Sequence, residues 1–116
     1  MTELTIYHNP KCSKSRKTLE LIKSKKLNPK IVFYLEEKLS QSEIKNLISK
    51  LKISSRDLLR KGEDVYRENN LDDQDLSEGA IIDYMVRFPK LIERPIVVKG
   101  EKAIIGRPPE NVLDLL

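Results

Sequence analysis

The apolar positions of this chain change period along its length, and each change marks an element. In LTIYH, residues 4 to 8, β-formers alternate with polar positions, which predicts a strand that Asn9-Pro10 breaks. From Ser13 the spacing turns helical, with Leu19, Ile22 and the stem of Lys23 on one stripe and Leu21 beside it. Basic residues and the Asn28-Pro29 pair end that helix. KIVFYL, residues 30 to 35, is apolar almost throughout and predicts a second strand, buried on both faces.

Ser40-Gln41-Ser42-Glu43 has the form of a capping box, and Ile44, Leu47, Ile48 and Leu51 follow at helical spacing, so a helix is expected over about 41–51. Ser54 or Ser55 opens a short helix that turns Leu58 and Leu59 inward, and EDVYREN fits one more helical turn. Ser77 opens a longer helix carrying Ile81, Ile82, Tyr84, Met85 and Phe88, which Pro89 stops. PIVVKGEKAIIG then reads as a hairpin turning at Lys99-Gly100-Glu101. Pro108-Pro109 precede ENVLDLL, where Pro109 suits the first turn of a closing helix. The order is βαβ, a helical block, then ββα. The opening unit requires parallel strands and the hairpin adds an antiparallel pair, giving a small mixed α/β sheet with flanking helices. A thioredoxin-like sandwich has this order, as do other α/β folds.

At 116 residues, the expectation is one domain over 1–116 with a helical insertion at about 40–90. Lys and Arg number 22 against 18 acids, a net charge of +4, which allows an anionic partner without requiring nucleic acid. The basic cluster Lys23, Lys25, Lys26 and Lys30 sits where a helix end favours cations, and two Phe and four Tyr supply no interleaved stacking platform, so no nucleic-acid role is expected. A single cysteine rules out an intramolecular disulfide and predicts a reducing, cytoplasmic setting. MTELTIYHNP lacks the pattern of a signal peptide, and the longest apolar runs are about five residues, where a membrane span needs ~20.

Cys12 falls where the first strand ends and the first helix begins. Free amides at a helix N-terminus stabilise an anion, and Lys11, Lys14 and Arg16 add charge nearby, so the thiolate is favoured over the thiol. The alternative is an inert buried thiol, but the polar neighbours Lys11, Ser13, Lys14 and Ser15 do not read as an apolar interior. One Cys and one His are too few for a typical zinc site, so no metal is expected. The position three after Cys12 is Ser15, so a dithiol centre is absent and a second thiol must come from another molecule. His8 either orients, deprotonates or, as a cation, stabilises Cys12, or it satisfies backbone groups at a strand end. Asn9 reads as the maker of the turn before Pro10.

Arg60, Arg94 and Arg107 sit at junctions between elements. A guanidinium offers paired donors to an oxyanion, although each of these alone would pass for a solvated charge. YHNPKCSKSRKTLELI, LLRK, ERPIVV and GRPPENVLDLL together resemble the glutaredoxin-coupled arsenate reductase family, over essentially the whole chain and in order. The likeness is to its shorter, less characterised bacterial members, since the chain stops at VLDLL and carries Ser13-Lys14 where the better-known members have small uncharged residues.

The resemblance implies a thioredoxin-like fold with a helical insertion. It implies Cys12 as the nucleophile that attacks arsenate, Arg60, Arg94 and Arg107 as holders of the oxyanion and the thiol-arsenic intermediate, and His8 as an auxiliary favouring the thiolate. It also implies a cis Arg94-Pro95 bond facing the cysteine, with Asn9, Ser15 and Pro95 as structural neighbours of the site. Glutathione would add as the second thiol and glutaredoxin would resolve the mixed disulfide, with no metal and no tightly bound cofactor, in a role in arsenic detoxification. Two other functions compete. One is a redox-responsive transcription regulator that binds RNA polymerase, for which Ser15 removes the usual second thiol of a Cys-x-x-Cys switch. The other is a general glutathione-dependent thiol oxidoreductase, which Cys12 suits, although three junctional arginines suggest a small oxyanion better than a protein disulfide.

Overall fold

A computed structural model of the chain describes residues 3–116. It divides into two compact units, one ending at Glu37 and resuming over Arg94–Leu116, the other spanning Lys38–Glu93.

The first unit opens with β1 (Leu4–Tyr7), α1 (Ser13–Ser24) and β2 (Lys30–Val32), and closes with β3 (Ile96–Lys99), β4 (Lys102–Ile105) and a 3-10 segment over Pro109–Asp114. Among the described residues four strands form one sheet in the order β2-β1-β3-β4. β1 runs parallel to β2, with Ile6 opposite Ile31, and antiparallel to β3, with Ile6 opposite Val97. The βαβ crossover and the hairpin thus leave β1 and β3 in the middle, where Ile6 and Val97 are fully buried. Leu4, Ile22, Val112 and Leu115 join them in the core, and α1 packs against the closing 3-10 segment. This mixed sheet with flanking helices is the thioredoxin-like arrangement that the element order predicts.

Three local expectations are corrected. β2 is not a strand buried on both faces: it has three residues, lies at the sheet edge, and is exposed at Lys30 and half-buried at Ile31 and Val32. The apolar run leaves the sheet at Phe33, whose carbonyl accepts from the N–H groups of Glu36 and Glu37, so Phe33 and Leu35 stay exposed while Tyr34 is buried. An uninterrupted apolar run does not by itself distinguish a central strand from an edge strand followed by a turn. The fully buried stripe of α1 is Ser15, Thr18 and Ile22; Leu19 and Leu21 pack on the core half-buried, and Lys23 is exposed. Thr18 satisfies its hydroxyl on the Lys14 carbonyl at 2.8 Å, which lets a polar side chain sit where a close backbone approach leaves little room. The closing helix is 3-10 in type.

The second unit holds α2 (Gln41–Leu51), a 3-10 turn over Ser55–Leu58, α3 (Asp64–Glu68), α4 (Glu78–Arg87) and a 3-10 turn over Pro89–Leu91. Ser40 and Glu43 form the expected capping box, and Ile44, Leu47 and Ile48 turn inward. Ser77 caps α4 through Ala80, and Ile81, Ile82 and Met85 are buried, whereas Tyr84 and Phe88 stay half-buried, with the Arg87 guanidinium 4.7 Å from the Tyr84 ring centroid. α2 packs on α4, and α4 on both 3-10 turns. Among the described residues no helix is long and apolar enough to cross a membrane.

Gly106 marks the tightest approach in the first unit. A Cβ there would lie 2.6 Å from Thr18 Oγ1 and 2.8 Å from Pro95 Cγ, and the Gly106 N–H donates to the Pro95 carbonyl at 2.9 Å. Gly106→Ala is expected to destabilise the protein by about 1–3 kcal/mol through overpacking, read as a lower urea midpoint with an unchanged m-value.

Candidate active site

The junction between β1 and α1 is built by hydrogen bonds within a few residues of one another. The His8 N–H donates to the Val32 carbonyl, carrying the β1–β2 ladder one residue further. Asn9 then makes the turn as its residue type predicts. Its side-chain oxygen accepts from the Lys11 N–H at 3.0 Å and its carbonyl from the Cys12 N–H at 3.0 Å. Cys12 occupies the N-cap of α1 in an extended conformation, and its carbonyl accepts the first helical bond, from the Arg16 N–H.

His8 does not bond Cys12. Its Nδ1 lies 2.6 Å from the Ser15 hydroxyl, which also accepts from the Asn9 N–H at 3.1 Å. His8, Asn9 and Ser15 are all buried, so this polar knot is shielded from water. Burial, followed by the charges of Arg16 and Lys23, holds the imidazole below its ordinary pKa and so favours its neutral form. Of the roles open to this histidine beside Cys12, the lowered pKa works against the cationic one. The geometry displays its ring bonded to the Ser15 hydroxyl, a side chain and not a backbone group.

Cys12 is half-buried, and its sulfur accepts no cap hydrogen bond of ordinary geometry. Burial pushes the thiol pKa up, but the Ser15 amide, the Arg94 guanidinium and the Lys14 amide together outweigh it and hold the pKa below the ordinary thiol value. The helix mouth acts as expected. The cation is a different one: Lys11, Lys14 and Arg16 are exposed, Arg16 donates to the Pro10 carbonyl at 2.9 Å, and the charge acting on the sulfur belongs to Arg94.

Arg94 leads into β3 through a cis Arg94-Pro95 bond, and Arg107 leaves β4 through a second cis bond, Arg107-Pro108, which the motifs did not announce. The Arg94 Nε is buried without a hydrogen-bond partner among the described residues. Arg107 Nη1 reaches the Arg94 carbonyl in a long contact of 3.5 Å. Asn111, unnoticed in the sequence, donates to the carbonyls of Arg107 and Ile105 and so ties down the loop that carries Arg107. An Asn four residues after an arginine at a strand end was the available signal.

The first unit therefore carries Cys12, His8, Asn9, Ser15, Arg94, Pro95 and Arg107. Arg60 belongs to the second unit, where Glu93 binds its Nε at 3.2 Å and Glu63 lies 3.8 Å from its Nη1. Glu93 thus engages the Nε, while the buried Nη1 has no hydrogen-bond partner among the described residues. Among the described residues no three His, Cys, Asp or Glu side chains gather as metal ligands.

Because a lowered pKa leaves Cys12 ionised where an ordinary thiol is protonated, its alkylation by iodoacetamide should rise with pH to a plateau whose midpoint lies below that of a free thiol. Arg94→Ala should move that midpoint upward and slow alkylation at pH 7, as followed by mass spectrometry.

Comparison with known proteins places this geometry. The chain is 50% identical over 115 residues to the Escherichia coli K12 protein YfgD, described as uncharacterised, covering 98% of this chain and 97% of that one. It is 46% identical over 112 residues to an arsenate reductase of Haemophilus influenzae, covering 96% and 97%. A solved arsenate reductase structure from Vibrio cholerae superposes with a TM-score of 0.97 at 46% identity, over 99% of this chain and 98% of that one. The ArsC family model matches residues 7–115, from the end of β1 through the last 3-10 turn, and the chain belongs to the ArsC family.

Proposed function

We propose that this chain reduces arsenate to arsenite, with Cys12 as nucleophile. The observation that carries the reading is the pairing of a thiol held below its ordinary pKa with a guanidinium, Arg94, that acts on it and keeps a buried donor unused. Two anions repel, so a thiolate attacks an oxyanion only where cations offset the charge that builds up. Arg94 and Arg107 supply planar donors for that purpose at the ends of neighbouring strands. Arg60 enters through the family motif; Glu93 engages its Nε, and its buried Nη1 keeps an unused donor.

The reaction proceeds by exchange of groups on arsenic. The Cys12 sulfur displaces one arsenate oxygen, which leaves as water after protonation, and forms a sulfur–arsenic bond. Glutathione displaces a second oxygen in the same way. A glutaredoxin thiolate attacks the glutathione sulfur, and the electron pair of the sulfur–arsenic bond passes to arsenic, reducing it from the pentavalent to the trivalent state. Hydrolysis then releases arsenite and returns Cys12. One protein thiol suffices because glutathione and glutaredoxin supply the electrons, so no metal or bound cofactor is called for. Both partners belong to a reducing cytoplasm, which is where we place the protein.

His8 acts through Ser15: it fixes the hydroxyl that ties Asn9 to the first turn of α1, and so holds the Ser15 amide toward Cys12. Arsenate-dependent NADPH oxidation, coupled through glutathione, glutaredoxin and glutathione reductase, tests the proposal. Wild type should turn over and Cys12→Ser should not. Arg94→Ala should lower kcat/KM by roughly 100-fold or more, and Arg94→Lys should recover only part of the loss because it restores charge without the paired donors. Folded wild-type protein that shows no arsenate-dependent oxidation would remove arsenate as substrate.

A further inference from the structure

We propose that a cavity of about 180 Å³ beside the β1–α1 turn receives the γ-glutamyl head of the thiol co-substrate, an inference that rests on the glutathione-dependent reading above. Pro10 and Lys11 line it from the turn, Phe33, Leu35 and Glu36 from the segment after β2, and His8 forms part of its wall. All of these residues belong to the first unit.

The lining describes its ligand. Phe33 and Leu35 are 37% and 38% exposed, two large apolar side chains on the same short turn, and Phe33 meets the His8 ring edge-on with centroids 6.0 Å apart. Such side chains suit methylene groups. Lys11 and Glu36 add one charge of each sign to the same cavity. A simple anion would use only the lysine and an apolar ligand neither. An α-amino acid head, with ammonium and carboxylate on one carbon and two methylenes behind them, uses all four residues: ammonium to Glu36, carboxylate to Lys11, methylenes to Phe33 and Leu35.

Size narrows the occupant further. Sites that enclose a whole drug-sized ligand measure roughly 300–1,000 Å³. This cavity is smaller, so it takes one arm of the tripeptide and leaves the cysteinyl thiol outside. Asn9, Pro10 and Lys11, the turn that leads into Cys12, line the cavity, so a head seated there holds the rest of the tripeptide on the side of the chain that carries the nucleophile. The Asn9 side-chain bond to the Lys11 N–H and the Ser15–His8 bond hold this side of the cavity in place before any ligand arrives, which limits the entropy lost on binding.

S-methylglutathione, which cannot react with arsenic or sulfur, is the probe. Titrated into the full chain and followed by amide NMR shifts, it should produce saturable changes at Lys11, Phe33 and Glu36. S-methyl-cysteinylglycine, which lacks the γ-glutamyl head, should not. Glu36→Lys reverses an exposed charge and should weaken the apparent affinity roughly fivefold or more. Absence of saturable shifts, equal titration by the dipeptide, or an unchanged affinity in Glu36→Lys would overturn the assignment. Because the probe needs no arsenate, intact titration in a protein that does not turn over arsenate would overturn the enzymatic reading and leave the cavity standing. Turnover without titration would do the reverse.

Discussion

The hydroxyl of Ser15, buried in the first turn of α1, joins the end of β1 to the start of the helix, and the rest of the site is arranged around that joint. It accepts from the Asn9 N–H and meets the His8 ring, so the strand end, the turn and the helix form one body. A buried hydroxyl, imidazole and amide group are costly to leave unpaired, by about 1–3 kcal/mol each. Here each has a partner, and loss of the Ser15 hydroxyl would strand both of the others. The cost of disorder is what keeps the Ser15 amide aimed at the Cys12 sulfur.

Electrostatics at Cys12 are decided by geometry more than by the number of cations nearby in the chain. Three basic residues flank the cysteine in sequence, yet their side chains are exposed and their charges face water, where a high dielectric weakens any pair. Arg94 comes from the far end of the sequence and is partly shielded, so one guanidinium outweighs several neighbours. Burial of the thiol works against ionisation, and oriented amides together with Arg94 overcome it. The paired strands β3 and β4 bring Arg94 and Arg107 to the same end of the sheet, and Asn111 holds the second of their loops.

Much of the fold was legible because its signals are local. The capping box at Ser40, the cap at Ser77 and the helical spacing of Ile44, Leu47 and Ile48 depend on residues three or four apart, and the structure repeats them. The hairpin around Gly100 was legible for the same reason, with φ of 62° at that glycine. The misread stretches are those where a distant partner decides. KIVFYL has the apolar content of a central strand, but the sheet offers β2 a neighbour on one side only, and the chain turns away at Phe33. Thr18 looks like a surface threonine until Gly106 and Pro95 are packed against it.

The candidate site divides along the same line. The sequence by itself determined that Cys12 opens a helix, that Asn9 turns the chain before it, and that Ser15 leaves the protein without a second thiol, because chain neighbours settle all three. Only the tertiary structure decided which cation acts on Cys12, that His8 is pushed toward its neutral form and bonded to Ser15, and that Glu93 engages the Nε of Arg60. Those outcomes depend on burial and on partners set by packing, and neither is encoded in the spacing of residues along the chain.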